Sequence, residues 1–139
     1  MDLSTQYKGT ITELQVATHL LSLGYCVSQP LIQDSKYDLI VDVNHKLLRL
    51  QVKTSRFVNN KCNSIKFNCR STTNNVKECK QRRYSPDDID FFATYWNDNA
   101  FLIPISECST EKTIWLEEPP HNNCTYAFNY TAQEVLNHI

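Results

Sequence analysis

Apolar positions 11, 14, 16, 17, 20, 21 and 23 recur at spacings of three and four in TITELQVATHLLSL, residues 10–23. That spacing predicts an amphipathic helix, and Gly24 is a natural stop just past its end. Residues 25–29 read as a short strand closed by Pro30. In YDLIVDV, residues 37–43, Leu39, Val41 and Val43 alternate toward one face, with Asp38 and Asp42 on the other. In LLRLQVKTS, residues 47–55, Leu48, Leu50 and Val52 oppose Arg49, Gln51 and Lys53. The three-residue turn Asn44-His45-Lys46 between them predicts an antiparallel hairpin. Residues 56–83 are polar and rich in Asn and Thr, with a strand-like alternation in SIKFNCR, residues 64–70. They predict an exposed hairpin or ribbon. Ser85-Pro86-Asp87-Asp88 carries the marks of a helix start. FFATYW, 91–96, and AFLIPI, 100–105, read as strands around Asn97-Asp98-Asn99, and Thr131 is placed to cap a terminal helix AQEVLNHI.

The predicted order is helix, three strands, an excursion, two strands and a closing helix. It implies an α/β fold: a single domain over residues 1–139 with a central mixed β-sheet flanked by helices. The core falls in residues 8–55 and 84–139, and the excursion in 56–83.

Charge sharpens this division. The chain as a whole carries a net charge of -1. Residues 53–83 nevertheless hold nine basic side chains, Lys53, Arg56, Lys61, Lys66, Arg70, Lys77, Lys80, Arg82 and Arg83, against one acid, Glu78. Residues 84–139 reverse the balance, with nine acids and Lys112 alone. A concentrated basic block in a near-neutral chain is the footprint of a phosphate-backbone binder. Arg56, Lys61, Lys66, Arg70, Lys80, Arg82 and Arg83 are the candidate DNA contacts. Only Phe57 and Phe67 interleave with them, which disfavours a stacking platform for single strands.

Other classes drop out. With only Gly9 and Gly24, no Gly-rich phosphate loop can form. No apolar run is long enough to span a membrane, and the polar start MDLSTQYKGT predicts a cytoplasmic protein. The six cysteines form no C-x-x-C pair, and His121 with Cys124 lacks a second ligand pair. Free thiols are the expectation, with Cys26 and Cys108 in structural roles. No role falls to His19, His45, His121 or His138.

The candidate chemistry lies on the first hairpin. Asp38 opens one strand, and Gln51 and Lys53 share a face of its partner. A carboxylate can hold a hard divalent cation, and Gln can add a neutral oxygen ligand. Such a cation polarises a phosphodiester and acidifies a water. A lysine beside it orients that water or balances charge on the phosphate. Glu13 stands at the head of the stripe Val16, Ala17, Leu20. Thr10-Ile11-Thr12-Glu13 also has the form of a capping box, so both a cap and a catalytic helper fit.

Asp38 in KYDLIVDV, Gln51-Val52-Lys53 in RLQVKTS and Glu13 on the first helix resemble the PD-(D/E)-x-K nuclease superfamily. With the Asp-Asp-Ile-Asp-Phe-Phe strand and Leu-Ile-Pro-Ile, they are similar to its branch of Holliday-junction-resolvase-like proteins and a cyanobacterial group I intron homing endonuclease. The match is good over residues 8–56, fair over 84–106 and poor elsewhere. The resemblance implies a restriction-endonuclease-like αβββαβ core and Mg²⁺- or Mn²⁺-dependent cleavage of double-stranded DNA. It also implies a homo-oligomer, dimer or tetramer. Asp38 would be a metal ligand, with Gln51 in the usual acidic position and the Val52 carbonyl close to the metal. Lys53 would be the catalytic lysine and Glu13 an outer acid. The chain departs from the pattern at Tyr37, where proline is usual, and at Gln51, which removes one negative charge from the metal site. Three functions follow: a sequence-specific homing-type endonuclease, a junction resolvase or restriction or repair nuclease, or a DNA-binding protein whose nuclease site has decayed.

Overall fold

The computed structural model describes residues 2–59, 63–74, 79–119, 121 and 123–139, with backbone alone for 71–74 and 79–82. Helix α1 spans Thr5–Ser22. It begins about a turn and a half earlier than the periodicity predicts, because Ser4 is the N-cap and its side chain accepts from the Tyr7 amide. Its end follows the expectation. Gly24 takes φ +91°, its amide donates to Leu21 and that of Tyr25 to Leu20, the paired bonds of a Schellman stop. Val16 and Leu20 are fully buried, and Ala17 packs beside them.

Strands β1 (Cys26–Ser28), β2 (Leu39–Val43), β3 (Lys46–Val52), β8 (Phe91–Trp96) and β9 (Asn99–Pro104) form a five-stranded sheet in that order. Only the β3–β8 pairing is parallel, so the sheet is mixed, as expected. Both hairpins turn in two residues rather than the three the sequence suggested. Asn44 and His45 have φ 49° and 65°, and Asn97 and Asp98 have 49° and 66°. Two successive positive φ values make type I′ turns, whose twist matches the strands they join.

The alternation read in the sequence divides this sheet between two cores. Leu39, Val41, Val43, Leu50, Val52, Ala93 and Leu102 face α1 and the closing helix α2 (Ala132–Leu136). Thr131 caps α2 as predicted, accepting from the Glu134 amide. On the other face, Phe92, Phe101 and Ile103 meet Ile65, Phe67 and Ile114. These last come from a second sheet of β10 (Glu111–Trp115), β5 (Ser64–Asn68) and β4 (Arg56–Val58). Each such fully buried side chain contributes about 1.5–3 kcal/mol.

The second sheet corrects the reading of residues 56–83 as one exposed excursion. Its first half supplies core strands, with Ile65 and Phe67 wholly buried. Only the two-stranded ribbon β6 (Arg70–Asn74) and β7 (Cys79–Arg83) stands apart from both sheets. Strands β4 to β7 therefore occupy the crossover between the parallel β3 and β8. Ser85-Pro86-Asp87-Asp88 forms a closed turn instead of starting a helix. Asp88 accepts from the Ser85 amide at 2.9 Å, and Ser85 Oγ from the Asp87 amide at 3.2 Å. Arg49 fixes that turn: its guanidinium donates to the carbonyls of Pro86 and Asp87 and to the Asp90 carboxylate. Strand β8 begins directly afterwards, and no length of chain is left for a helix.

Candidate active site

Asp38 lies just before β2, and its amide donates to the Leu50 carbonyl at 2.8 Å. This bond extends the β2–β3 ladder by one step and places Asp38 across from the end of β3. One carboxylate oxygen, Oδ2, accepts from the Val52 amide at 2.8 Å. The carboxylate is thus fixed by backbone, independent of any side-chain rotamer elsewhere.

Glu13 reaches the same point from α1. It is half-buried and hydrogen-bonded to Asp38. With Ser4 as the N-cap, the capping-box reading of Thr10 to Glu13 falls away. Thr10 and Thr12 sit inside the helix, donating to the carbonyls of Gln6 and Lys8. Thr12 also shares a 2.9 Å hydrogen bond with Thr54, tying the helix to the segment just past Lys53. Glu13 is therefore held over the sheet end by a cross-link that the sequence does not reveal.

Two carboxylates this close cannot both ionise freely. Burial, the Asp38 charge and the hydrogen bond push Glu13 up to about 7. Burial also raises Asp38, against the pull of the Val52 amide, Glu13 and Lys53. Both carboxyls are thus harder to ionise than free side chains.

Gln51 and Lys53 stand on the face opposite α1, as the alternation predicts. Gln51 Oε1 is buried and has no hydrogen-bond partner among the described residues. An orphaned amide oxygen is costly unless something positive meets it. The Lys53 ammonium donates to the Arg70 carbonyl at 3.1 Å and lies 5.3 Å from the centre of the Tyr84 ring. Burial lowers its pKa, and the Asp38 charge opposes that shift. An open polar cleft of about 420 Å³ leads to the carboxylates, lined by Gln6, Thr10 and Glu13 of α1 and by Gln29, Gln33 and Tyr37 beside Asp38.

These groups fit a hard divalent cation. Two adjacent carboxylates, both harder to ionise than free ones, and an amide oxygen with no donor among the described residues are oxygen ligands of the required kind. No third Asp, Glu, His or Cys joins them to make a larger ligand group among the described residues.

The basic candidates separate. Arg56 and Lys66 are cross-strand neighbours that share Glu111, at 3.0 and 3.8 Å. Arg70 and Arg83 pair at the base of the ribbon, Arg70 half-buried and Arg83 exposed. Lys80 and Arg82 lie on β7, and Lys61 falls outside the described residues. Cys26, Cys69, Cys108 and Cys124 are free thiols, as expected. No helix among the described residues is long and apolar enough to cross a membrane.

Sequence reasoning missed Tyr84, Thr12 and Thr54 at the site, and Arg49 behind it. Arg49 carried a visible signal, a lone arginine on the face of Gln51 and Lys53. The other three become neighbours of the site only through the fold.

A model of the family described as PD-(D/E)XK endonuclease matches residues 3–133 of the chain. Among solved structures, a bacterial homing endonuclease, I-Ssp6803I, is similar with a TM-score of 0.75 and 26% sequence identity, over 98% of this chain and 95% of that one. No curated protein matches.

Proposed function

The chain belongs to the PD-(D/E)XK endonuclease family, and from that premise we propose that it is a divalent-metal-dependent, sequence-specific endonuclease of double-stranded DNA, of the homing type. The observation that carries the reading is the meeting of the Glu13–Asp38 pair, the unpartnered Gln51 oxygen and the Lys53 ammonium at one end of the sheet. Asp38 and Gln51, with the Val52 carbonyl, would hold Mg²⁺ or Mn²⁺, and Glu13 would complete the anionic side. Bound there, the cation supplies Lewis acidity toward a phosphate oxygen and a more acidic water.

The chain's own residues do the rest. Asp38, fixed by the Val52 amide, presents its charge to the cleft without rearrangement. Glu13, raised to about 7, gives up its proton less readily than a free carboxyl, and a cation held beside it would ease that loss. Lys53 places an ammonium beside the carboxylates, where charge builds on the scissile phosphate. The ribbon β6–β7, with Lys80, Arg82 and Arg83, supplies phosphate contacts. A two-stranded ribbon is also narrow enough for the major groove. The similarity to a homing endonuclease over nearly the whole chain supports a long, rare target over frequent short ones.

The test is to incubate the protein with long duplex DNA of varied sequence in Mg²⁺ or Mn²⁺. One or a few discrete cuts support the homing reading. Frequent cuts mark a restriction-type enzyme, and cleavage confined to branched junctions marks a resolvase. Gln51 at a usually acidic position motivates a second reading, binding without cleavage. Metal-dependent hydrolysis of any DNA eliminates it.

A further inference from the structure

Lys53 is not held by its own strand. Among the described residues, both groups that touch its ammonium come from the base of the ribbon. The Arg70 carbonyl, which accepts at 3.1 Å, belongs to the first residue of β6. Tyr84, whose ring centre lies 5.3 Å away, directly follows the last residue of β7. Arg70 and Arg83 face each other across the terminal rung of the ribbon, so the two contacts are its two legs. Each leg is anchored in the core. Beside Arg70, Cys69 is buried and its amide donates to the Thr110 carbonyl at 2.9 Å. The Tyr84 ring meets Phe92 edge-on, with centroids 5.5 Å apart.

We infer that Tyr84 is a positioning residue for Lys53, and that the base of the ribbon is a clamp that places the lysine for the reaction. The inference rests on the nuclease reading for its consequence, but its geometry stands without it. A lysine side chain has four flexible bonds, and an unguided ammonium explores many rotamers. The clamp removes that freedom while using few of its donors. An ammonium has three N–H groups. The Arg70 carbonyl takes one, and a ring face attracts the charge without acting as a conventional acceptor. The remaining N–H groups stay available for a phosphate oxygen or the attacking water. Because the same ribbon carries Lys80, Arg82 and Arg83, contact with the DNA backbone and placement of the lysine involve one element.

The experiment compares Tyr84→Leu and Tyr84→Phe in the full chain. The first readout needs no substrate: the NMR signals of the Lys53 ε-methylene and ammonium, identified by their loss in Lys53→Arg. A ring at this distance shifts them away from free-lysine values. The clamp requires that shift in the wild type and in Tyr84→Phe, and its collapse in Tyr84→Leu. The second readout is the single-turnover cleavage rate at saturating protein, with DNA affinity measured separately in Ca²⁺. Tyr84→Leu should cut at least about tenfold more slowly with affinity within about twofold, and Tyr84→Phe should restore the rate to within about threefold. The inference is overturned if the wild-type Lys53 signals match free lysine, if Tyr84→Leu cuts at the wild-type rate or fails only through weaker binding, or if Tyr84→Phe is as slow as Tyr84→Leu. Should Tyr84→Leu unfold, the wild-type signals and the Phe variant decide. Should the wild type cut no DNA, the nuclease reading fails, while the NMR shift still reports on the clamp.

Discussion

Glu13 shows most plainly how the fold changes one residue's chemistry. On an isolated helix its carboxyl would titrate near 4.5; against Asp38, half-buried, it is pushed up to about 7. The folded, metal-free protein therefore binds a proton between these values that the unfolded chain has released. Stability from this group is complete below about 4.5 and is lost as pH rises through about 7. Melting temperatures in EDTA should fall across that window for the wild type and stay flatter for Glu13→Gln. Equal slopes would show that the Glu13 carboxyl is not raised. Lys53→Ala should lower the cleavage rate by about 10²–10³-fold while leaving DNA affinity nearly unchanged, since the lysine acts on charge that develops in the transition state. Parallel filter-binding and cleavage assays check it. Asp38, Gln51 and Lys53 were legible in the sequence because strand alternation fixes which residues share a face. Glu13 was legible as a carboxylate heading a buried stripe, but its role as cap or helper was not. The deciding residue, Ser4, lies outside the apolar periodicity. Tyr84 could not be found in this way. Its ring reaches Lys53 only because the ribbon leaves and returns at the same point, and no local pattern encodes that.

At the scale of elements, β2 and β3, with their alternation, and β8 and β9, as apolar runs buried on both faces, follow from side-chain pattern alone, and so does α1. Strand β10 was missed because Ile114 is the only buried residue in Glu111–Trp115, and one apolar position makes no period. Ser85 to Asp88 misled because the residues that start a helix also close a turn. What decides between them is the chain that follows, and here β8 begins three residues later, behind a turn anchored by Arg49. The hairpin turns carry a test of their own. Asp98 sits at φ 66°, where a β-branched side chain is strained. Asp98→Val should cost about 1–2 kcal/mol in urea unfolding, whereas Asp98→Gly should not. Equal losses would contradict the type I′ assignment. In the ribbon, Arg83 is exposed, and we propose it as a phosphate contact. Arg83→Ala should weaken DNA binding and reduce the slope of log affinity against log salt by about one. An unchanged slope would remove Arg83 from that set.

Across the whole molecule, the basic block and the acidic C-terminal stretch lie next to each other in sequence and serve different ends. Core strands β4 and β5 take up part of the basic block, and Arg56 and Lys66 share Glu111. Exposed pairs of this kind are weak and screened by salt, and we propose that the ribbon carries the main phosphate contacts. A 16.2 kDa chain with one such site among its described residues would reach one strand of a duplex at a time. We propose a homo-oligomer, dimer or tetramer, whose two-fold axis sets two sites against the two strands. Light scattering at micromolar concentration should give at least twice the chain mass, and a monomer that still cuts both strands would exclude it. The proposed chemistry is cleavage of DNA by the Asp38 end of the sheet with a bound cation. Its most direct test is cleavage of long duplex DNA by wild type and Asp38→Ala, side by side in Mn²⁺ and in EDTA. Discrete products are expected only from the wild type with metal, with Asp38→Ala still folded and still binding DNA. Cleavage by Asp38→Ala, or by the wild type in EDTA, would contradict it.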